Sequence, residues 1–183
     1  MFSINHKLLN YYKEHDENVT LVGNDFEVLI KLFVVRCFVP VMKTALETKI
    51  NDADKKKRRH IVLCGDFDKF TVQLFVKILQ DTEANVSLSW SDIVGLINFC
   101  HYYHADEVIK ICYSKGANRI NKENIYEAIQ LVETYSFRQW DESICYIIQQ
   151  NRSIRKNTEW KYLFSECPNT MCDILNKLLD EKT

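Results

Sequence analysis

The chain has 183 residues, 46% of them hydrophobic, and its 24 basic and 25 acidic residues leave a formal charge of −1. That balance excludes a net basic field for nucleic acid and an acidic solvating tail. The length suits one domain or two small ones, able to bury about 70% of the unfolded surface without staples.

Residues 3–13 place Ile4, Leu8, Leu9 and Tyr12 on one helical face, with Ser3 as N-cap. A short helix with one greasy face needs a docking surface. Next, "NVTLVGNDFEVLI" (18–30) holds two β-rich runs around Gly23-Asn24-Asp25, a hairpin pattern. Residues 31–47 are apolar and helix-competent, but Pro40 divides them into two short helices with a boundary near Cys37–Pro40. The charged stretch 48–60 reads as a loop and "IVLCG" (61–65) as a buried strand. From Phe70, the residues Leu74, Phe75, Ile78 and Leu79 mark an amphipathic helix, and "NVSLS" (85–89) alternates like an edge strand. After Trp90 a buried helix opens with Ser91 and Asp92 at its cap. A second, 105–115, repeats Ala105, Val108, Ile109 and Cys112 and ends at Gly116.

The remainder reads as helix throughout. Residues 122–135 carry Ile125, Ala128, Ile129, Val132 and Tyr135, and 137–151 carry Trp140, Ile144, Ile147 and Ile148. A shorter segment surrounds "EWKYLF", and Pro168 suits the first position of a helix bearing Met171, Ile174, Leu175, Leu178 and Leu179. The pattern is therefore α+β over the first 115 residues and all-α afterwards. Four Gly and two Pro in the whole chain agree with a helix-rich fold.

The seven cysteines sit singly, most of them amid apolar neighbours. No signal-peptide pattern opens the chain and no stretch approaches the ~18 apolar residues of a membrane span. Reduced, buried thiols in a cytoplasmic or nuclear protein are expected, with no membrane and no nucleic-acid partner.

This order of elements resembles a BTB/POZ domain followed by a truncated BACK domain, as in kelch-like proteins and their poxviral relatives. Four stretches carry the resemblance: "NVTLVGNDFEVLIKLFVVRCFVPVM", "IVLCGDFDKFTVQLFVKILQD", "LINFCHYYHADEVIKIC" with the family's cysteine at Cys112, and "INKENIYEAIQLVETYSFRQWDESICYIIQQN" followed by "WKYLFSECPNTMCDILNKLL". The resemblance implies a BTB/POZ fold over 1–116, a small three-stranded sheet flanked by helices. A truncated, all-α BACK-like helical segment over 117–183 would follow, with no kelch repeats. Leu29 stands where the family usually has histidine, Cys37 where it has serine, and Pro40 where it has phenylalanine.

The resemblance further implies a homodimer through Ile4, Leu8, Leu9 and Tyr12, since isologous pairing hides that face. It implies a cullin-3 contact through Ala45, Leu46 and Glu47, then Tyr102, Tyr103 and His104, and the helix that holds Ile125. The function expected is a non-enzymatic adaptor for a cullin-3 ubiquitin ligase, with an unknown client, or a competitor of full-length kelch-like adaptors. The alternative is a dimeric, transcription-linked scaffold that binds no cullin. The richness in Ile, Asn, Lys and Tyr fits an AT-rich genome, as in many large DNA viruses, and a viral copy would act in the host cell.

The stretch "FCHYYHADEVIKIC" (99–112) raises two sharper possibilities. Cys100 and His104, at i and i+4, could chelate zinc, but a structural site needs four ligands, usually in close pairs, and no second pair is present. A Cys/His nucleophile needs a base and oxyanion donors in a cleft, and nothing Gly-rich flanks any cysteine. A packed helical corner is the expectation, with no catalytic residue, cofactor or metal. "KKKRR" (55–59) reads as a solvated loop that is also compatible with a nuclear import signal.

Overall fold

The computed structural model describes residues 17–49, 60–80 and 86–180. The helix expected at 3–13, with Ile4, Leu8, Leu9 and Tyr12, lies outside those residues, as do 55–59. Among the described residues the fold is α+β, a three-stranded mixed sheet and nine α-helices. By contacts it divides into two compact units between Ile111 and Cys112.

In the first unit, β1 (Asn18–Val22) and β2 (Glu27–Lys31) form the hairpin, antiparallel from Asn18↔Lys31 to Val22↔Glu27. The turn closes on a Gly23 N–H donated to the Phe26 carbonyl at 3.0 Å. β3 (His60–Leu63) joins β1 in parallel, giving the order β2-β1-β3. Side chains alternate across a strand, so one face carries Val19, Leu21, Ile30 and Val62 into the core. The other face leaves Leu29 57% and Leu63 66% exposed. The buried strand expected at 61–65 spans His60–Leu63, and burial alternates along it, with Val62 buried and Leu63 exposed.

α1 (Leu32–Phe38) follows β2 directly, and α2 (Pro40–Lys49) follows after Val39 alone. Pro40 has no N–H to give the preceding turn, and its ring suits the first position of a new helix. α3 (Lys69–Gln80) packs on β2, burying Val72, Phe75 and Leu79. α4 (Trp90–Tyr103) packs on α3 at close range: a Cβ on Gly95 would stand 2.7 Å from Thr71 Oγ1.

The cap of α4 falls earlier than expected. Ser89 accepts from the Asp92 N–H at 3.2 Å, and Asp92 Oδ2 accepts from the Ser89 N–H at 2.8 Å, a reciprocal capping box. Residues 86–89 therefore lead into the helix and form no strand. α5 (Asp106–Ala117) also runs past its expected stop. Gly116 lies inside the helix, and a Cβ there would fall 2.3 Å from Trp140 Cζ2. The residue is glycine because an indole ring occupies the space a side chain would need.

The second unit is helical: α6 (Ile125–Tyr135), α7 (Asp141–Gln150), a 3-10 turn (Arg152–Lys156), α8 (Thr158–Glu166) and α9 (Pro168–Asp180). α6 begins three residues later than the expected span of 122–135, at the first residue of its apolar pattern. Asn121 and Asn124 bind the intervening backbone, Asn121 Oδ1 accepting from the Glu123 N–H at 2.8 Å. Short polar side chains compete in this way with the first helical turn. Trp140 is fully buried; its Nε1 donates to the Tyr113 carbonyl at 2.7 Å, and Phe137 stacks on Tyr113 at 3.8 Å between centroids.

α9 is tied to its neighbours along its length. Glu133 accepts from the Thr170 N–H (2.7 Å), the Thr170 hydroxyl (2.6 Å) and Asn169 Nδ2 (2.8 Å), satisfying donors that a helix start leaves open. Arg138 pairs with Asp173, and Lys177 Nζ with Asp141 Oδ2 at 3.0 Å. No helix among the described residues is long and apolar enough to cross a membrane.

Candidate partner-binding site

An open groove of about 680 Å³ lies in the first unit. Pro40, Val41, Thr44 and Ala45 of α2 form one wall; His104 and Asp106, from the turn between α4 and α5, form the other. Positions 40, 41, 44 and 45 share a helical face by their spacing. Thr44 turns its hydroxyl back onto the Pro40 carbonyl at 3.0 Å, so the wall is nearly apolar.

The opposite wall is set by a sharp reversal. His104 adopts a left-handed conformation (φ 54°) at the end of α4, and the Ala105 N–H returns to the Cys100 carbonyl at 2.8 Å. That closure fixes the end of the helix and seats Ala105 in the core. His104 stays outside, and Asp106 begins α5 with Glu107 beside it, acids at the positive end of the helix.

A second groove, of about 350 Å³, is lined by Cys64, Gly65, Asp66, Phe67 and Tyr102. Gly65 takes a positive φ of 58°, the turn that carries β3 toward α3. Asn24 Nδ2 donates to Asp66 at 3.2 Å and ties the hairpin turn to this loop. Behind it lies an aromatic cluster in which Phe99 meets Phe67 at 4.9 Å, Phe75 at 4.8 Å and Tyr103 at 4.7 Å.

Tyr102 and Tyr103, neighbours in sequence, have opposite fates. Tyr102 is 65% exposed, while Tyr103 is 3% exposed and donates its hydroxyl to the Leu63 carbonyl at 2.7 Å. Burial pushes the Tyr103 hydroxyl above the ordinary tyrosine range, with Cys64 adding to the shift.

Of the expected partner contacts, Ala45 and His104 line the larger groove, Glu47 is exposed, and Tyr102 borders the smaller one. Leu46, Tyr103 and Ile125 are core residues, at 5%, 3% and 0% exposure. Their side chains are spent on packing, which corrects their reading as surface contacts. Pro40, Val41, Thr44 and Asp106 also line the groove. The i, i+1, i+4, i+5 spacing of Pro40, Val41, Thr44 and Ala45 is the sequence signal for that wall.

The Cys/His stretch is a packed corner. Cys100 and Cys112 are fully buried, and His104 is exposed. Burial holds His101 below the ordinary histidine range, with Asp106 opposing the shift. Burial alone pushes the Cys112 thiol up to about 12, and burial pushes Cys64 up to about 11 against a hydrogen bond with Tyr103. Both are protonated thiols at neutral pH, the unreactive form. Among the described residues no three His, Cys, Asp or Glu side chains are grouped to hold a metal ion. The seven cysteines form no disulfide.

No protein-family model matches the chain, and no curated protein matches it.

Proposed function

We propose that the chain is a non-enzymatic interaction module, a BTB/POZ–BACK adaptor that pairs with a second copy and offers its larger groove to a partner's helix. The leading partner is the N-terminal region of cullin-3. One observation carries the reading: Ala45 and His104, expected at a shared contact although far apart in sequence, line one groove of about 680 Å³.

A groove with an apolar helical wall and a polar far rim suits an amphipathic helix. Val41 and Ala45 meet its apolar side, and Asp106 and His104 meet its polar flank. Exposed Tyr102 supplies a rigid amphipathic contact nearby, of the kind enriched at interfaces. Such an adaptor recruits a client by another surface or competes with full-length kelch-like adaptors for the scaffold. It works in the cytoplasm or nucleus, of the host cell where the source is a virus.

Calorimetry with the purified cullin-3 N-terminal region tests this directly. Binding is expected, and Ala45→Arg, which fills the groove with a charged side chain, is expected to abolish it at an unchanged thermal midpoint. No heat of binding at tens of micromolar overturns the cullin reading. A dimer that leaves the cullin region unbound is the result that favours a transcription-linked scaffold.

A further inference from the structure

The smaller groove of the first unit brings together aromatic rings, from Phe67 and Tyr102, and a carboxylate, from Asp66. Between them Gly65 adds no side chain, and a Cβ there would meet no atom within 4 Å, so the space beside the rings stays open. Cys64 lines the groove as a neutral group, because burial keeps its thiol protonated at neutral pH. Among the described residues that line it, Asp66 therefore carries the charge.

The rings are held by their neighbours. Phe67 meets Phe99 at 4.9 Å, Tyr103 at 6.2 Å and Tyr102 at 5.7 Å between centroids, the last pair inclined at 63°. Tyr102 also meets Tyr103 at 4.8 Å, yet remains 65% exposed, which leaves ring surface for a ligand. Asp66 is anchored too, since Asn24 Nδ2 donates to its Oδ1 at 3.2 Å. A carboxylate offers about four acceptor sites, so that bond positions the group and leaves capacity for further donors. The nearby acid Asp68 is used within the fold, accepting from the Thr71 N–H at 2.9 Å and the Thr71 hydroxyl at 2.6 Å.

Ring faces beside a carboxylate attract a cation. The kind of cation follows from the walls. A quaternary ammonium has no N–H to give Asp66, and a lysine ammonium is a compact, strongly hydrated point charge. A guanidinium is flat, more weakly hydrated and edged with N–H donors, so it can lie along a ring and reach a carboxylate at once.

We infer that the smaller groove seats an arginine side chain carried by a partner polypeptide, its guanidinium stacked on Tyr102 and paired with Asp66. This site goes beyond the adaptor reading: it uses neither Ala45 nor His104, and its ligand chemistry is set by the smaller groove alone.

The test is an NMR titration of the isotope-labelled full chain with N-acetyl-arginine methylamide, up to tens of millimolar. Saturable shifts are expected at the amides of Cys64, Gly65, Asp66, Phe67 and Tyr102. The citrulline analogue, close in shape but neutral, is expected to bind about tenfold more weakly, and the lysine analogue also more weakly than arginine. Asp66→Asn is expected to weaken the arginine probe about tenfold, and Tyr102→Leu, which keeps an apolar wall without a ring, about two- to fivefold. Circular dichroism melts establish that both variants fold. No saturable shift, citrulline or lysine binding as tightly as arginine, or Asp66→Asn binding undiminished each overturns the inference. A chain that binds the arginine probe but not the cullin-3 region loses the adaptor reading alone, and the reverse result loses this inference alone.

Discussion

The two units solve the problem of register by different means. In the first, a backbone ladder fixes how β1 meets β2 and β3, and apolar side chains fill the space behind it. Among the described residues, the side-chain hydrogen bonds from Asn24 to Asp66 and from Tyr103 to Leu63 reach far along the chain. The second unit has no ladder between its helices, and greasy helices slide. Here polar ties do the indexing: Glu133 on the start of α9, Arg138 on Asp173, Lys177 on Asp141, and Trp140 on the Tyr113 carbonyl. Where the backbone sets register, the surface is left open for two grooves; where side chains must set it, they are consumed.

The comparison is broken most directly at Trp140. Trp140→Ala empties a fully buried ring site and removes the indole hydrogen bond to the Tyr113 carbonyl, and it is expected to cost about 3–5 kcal/mol in urea unfolding. A cost below about 1 kcal/mol would mean that the second unit repacks freely.

Glu133→Gln comes next, at about 1.5–3 kcal/mol, the range for hydrogen bonds to a charged group. It also carries a pH signature. Burial alone would raise the Glu133 carboxyl, but the hydrogen bonds from Thr170 and Asn169 outweigh it and hold the group below the ordinary glutamate range. A folded-state value below the unfolded one means that the charged form favours folding. Its contribution is complete above the unfolded value, about 4.3, and is lost as pH falls through the folded one. Stability of the wild-type chain is expected to drop more steeply below that range than stability of Glu133→Gln, as measured by thermal melts from neutral to acidic pH.

In the first unit the matching change is smaller. Tyr103→Phe removes one long-range bond, to the Leu63 carbonyl, and keeps the ring against Phe99, so about 0.5–1.5 kcal/mol is expected in the same unfolding assay. A loss as large as that at Glu133 would erase the contrast between the units. Thiol labelling sharpens the picture without perturbing stability. Exposed Cys37 and Cys172 are expected to react rapidly with a maleimide at pH 7, while buried Cys64 and Cys112 react only as the chain opens.

Much of this architecture was legible in local pattern. The Gly23-Asn24-Asp25 turn between β-rich runs, the break before Pro40, Pro168 opening a helix and the i, i+4 stripes of α3 and α7 all report on neighbours within a few residues. Those features obey sterics and periodicity that act along the chain. The helix stops and starts were less legible, because capping is decided by side chains competing for a handful of backbone groups, as at Ser89 and Asn121.

What tertiary structure alone decided has a common cause: partners distant in sequence. Gly116 looked like a helix end and is the seat of Trp140. Tyr102 and Tyr103 looked equivalent, yet a helix turns about 100° between neighbours, and one turned to solvent while the other reached Leu63. Whether Leu29 and Leu63 were covered depended on which face of the sheet the helices packed against. The sequence by itself determined which segments are helix or strand and which faces are greasy, because those follow from short-range geometry. It did not determine which greasy faces meet, because burial is a property of pairs of surfaces, and the pairing is chosen only when the whole chain packs.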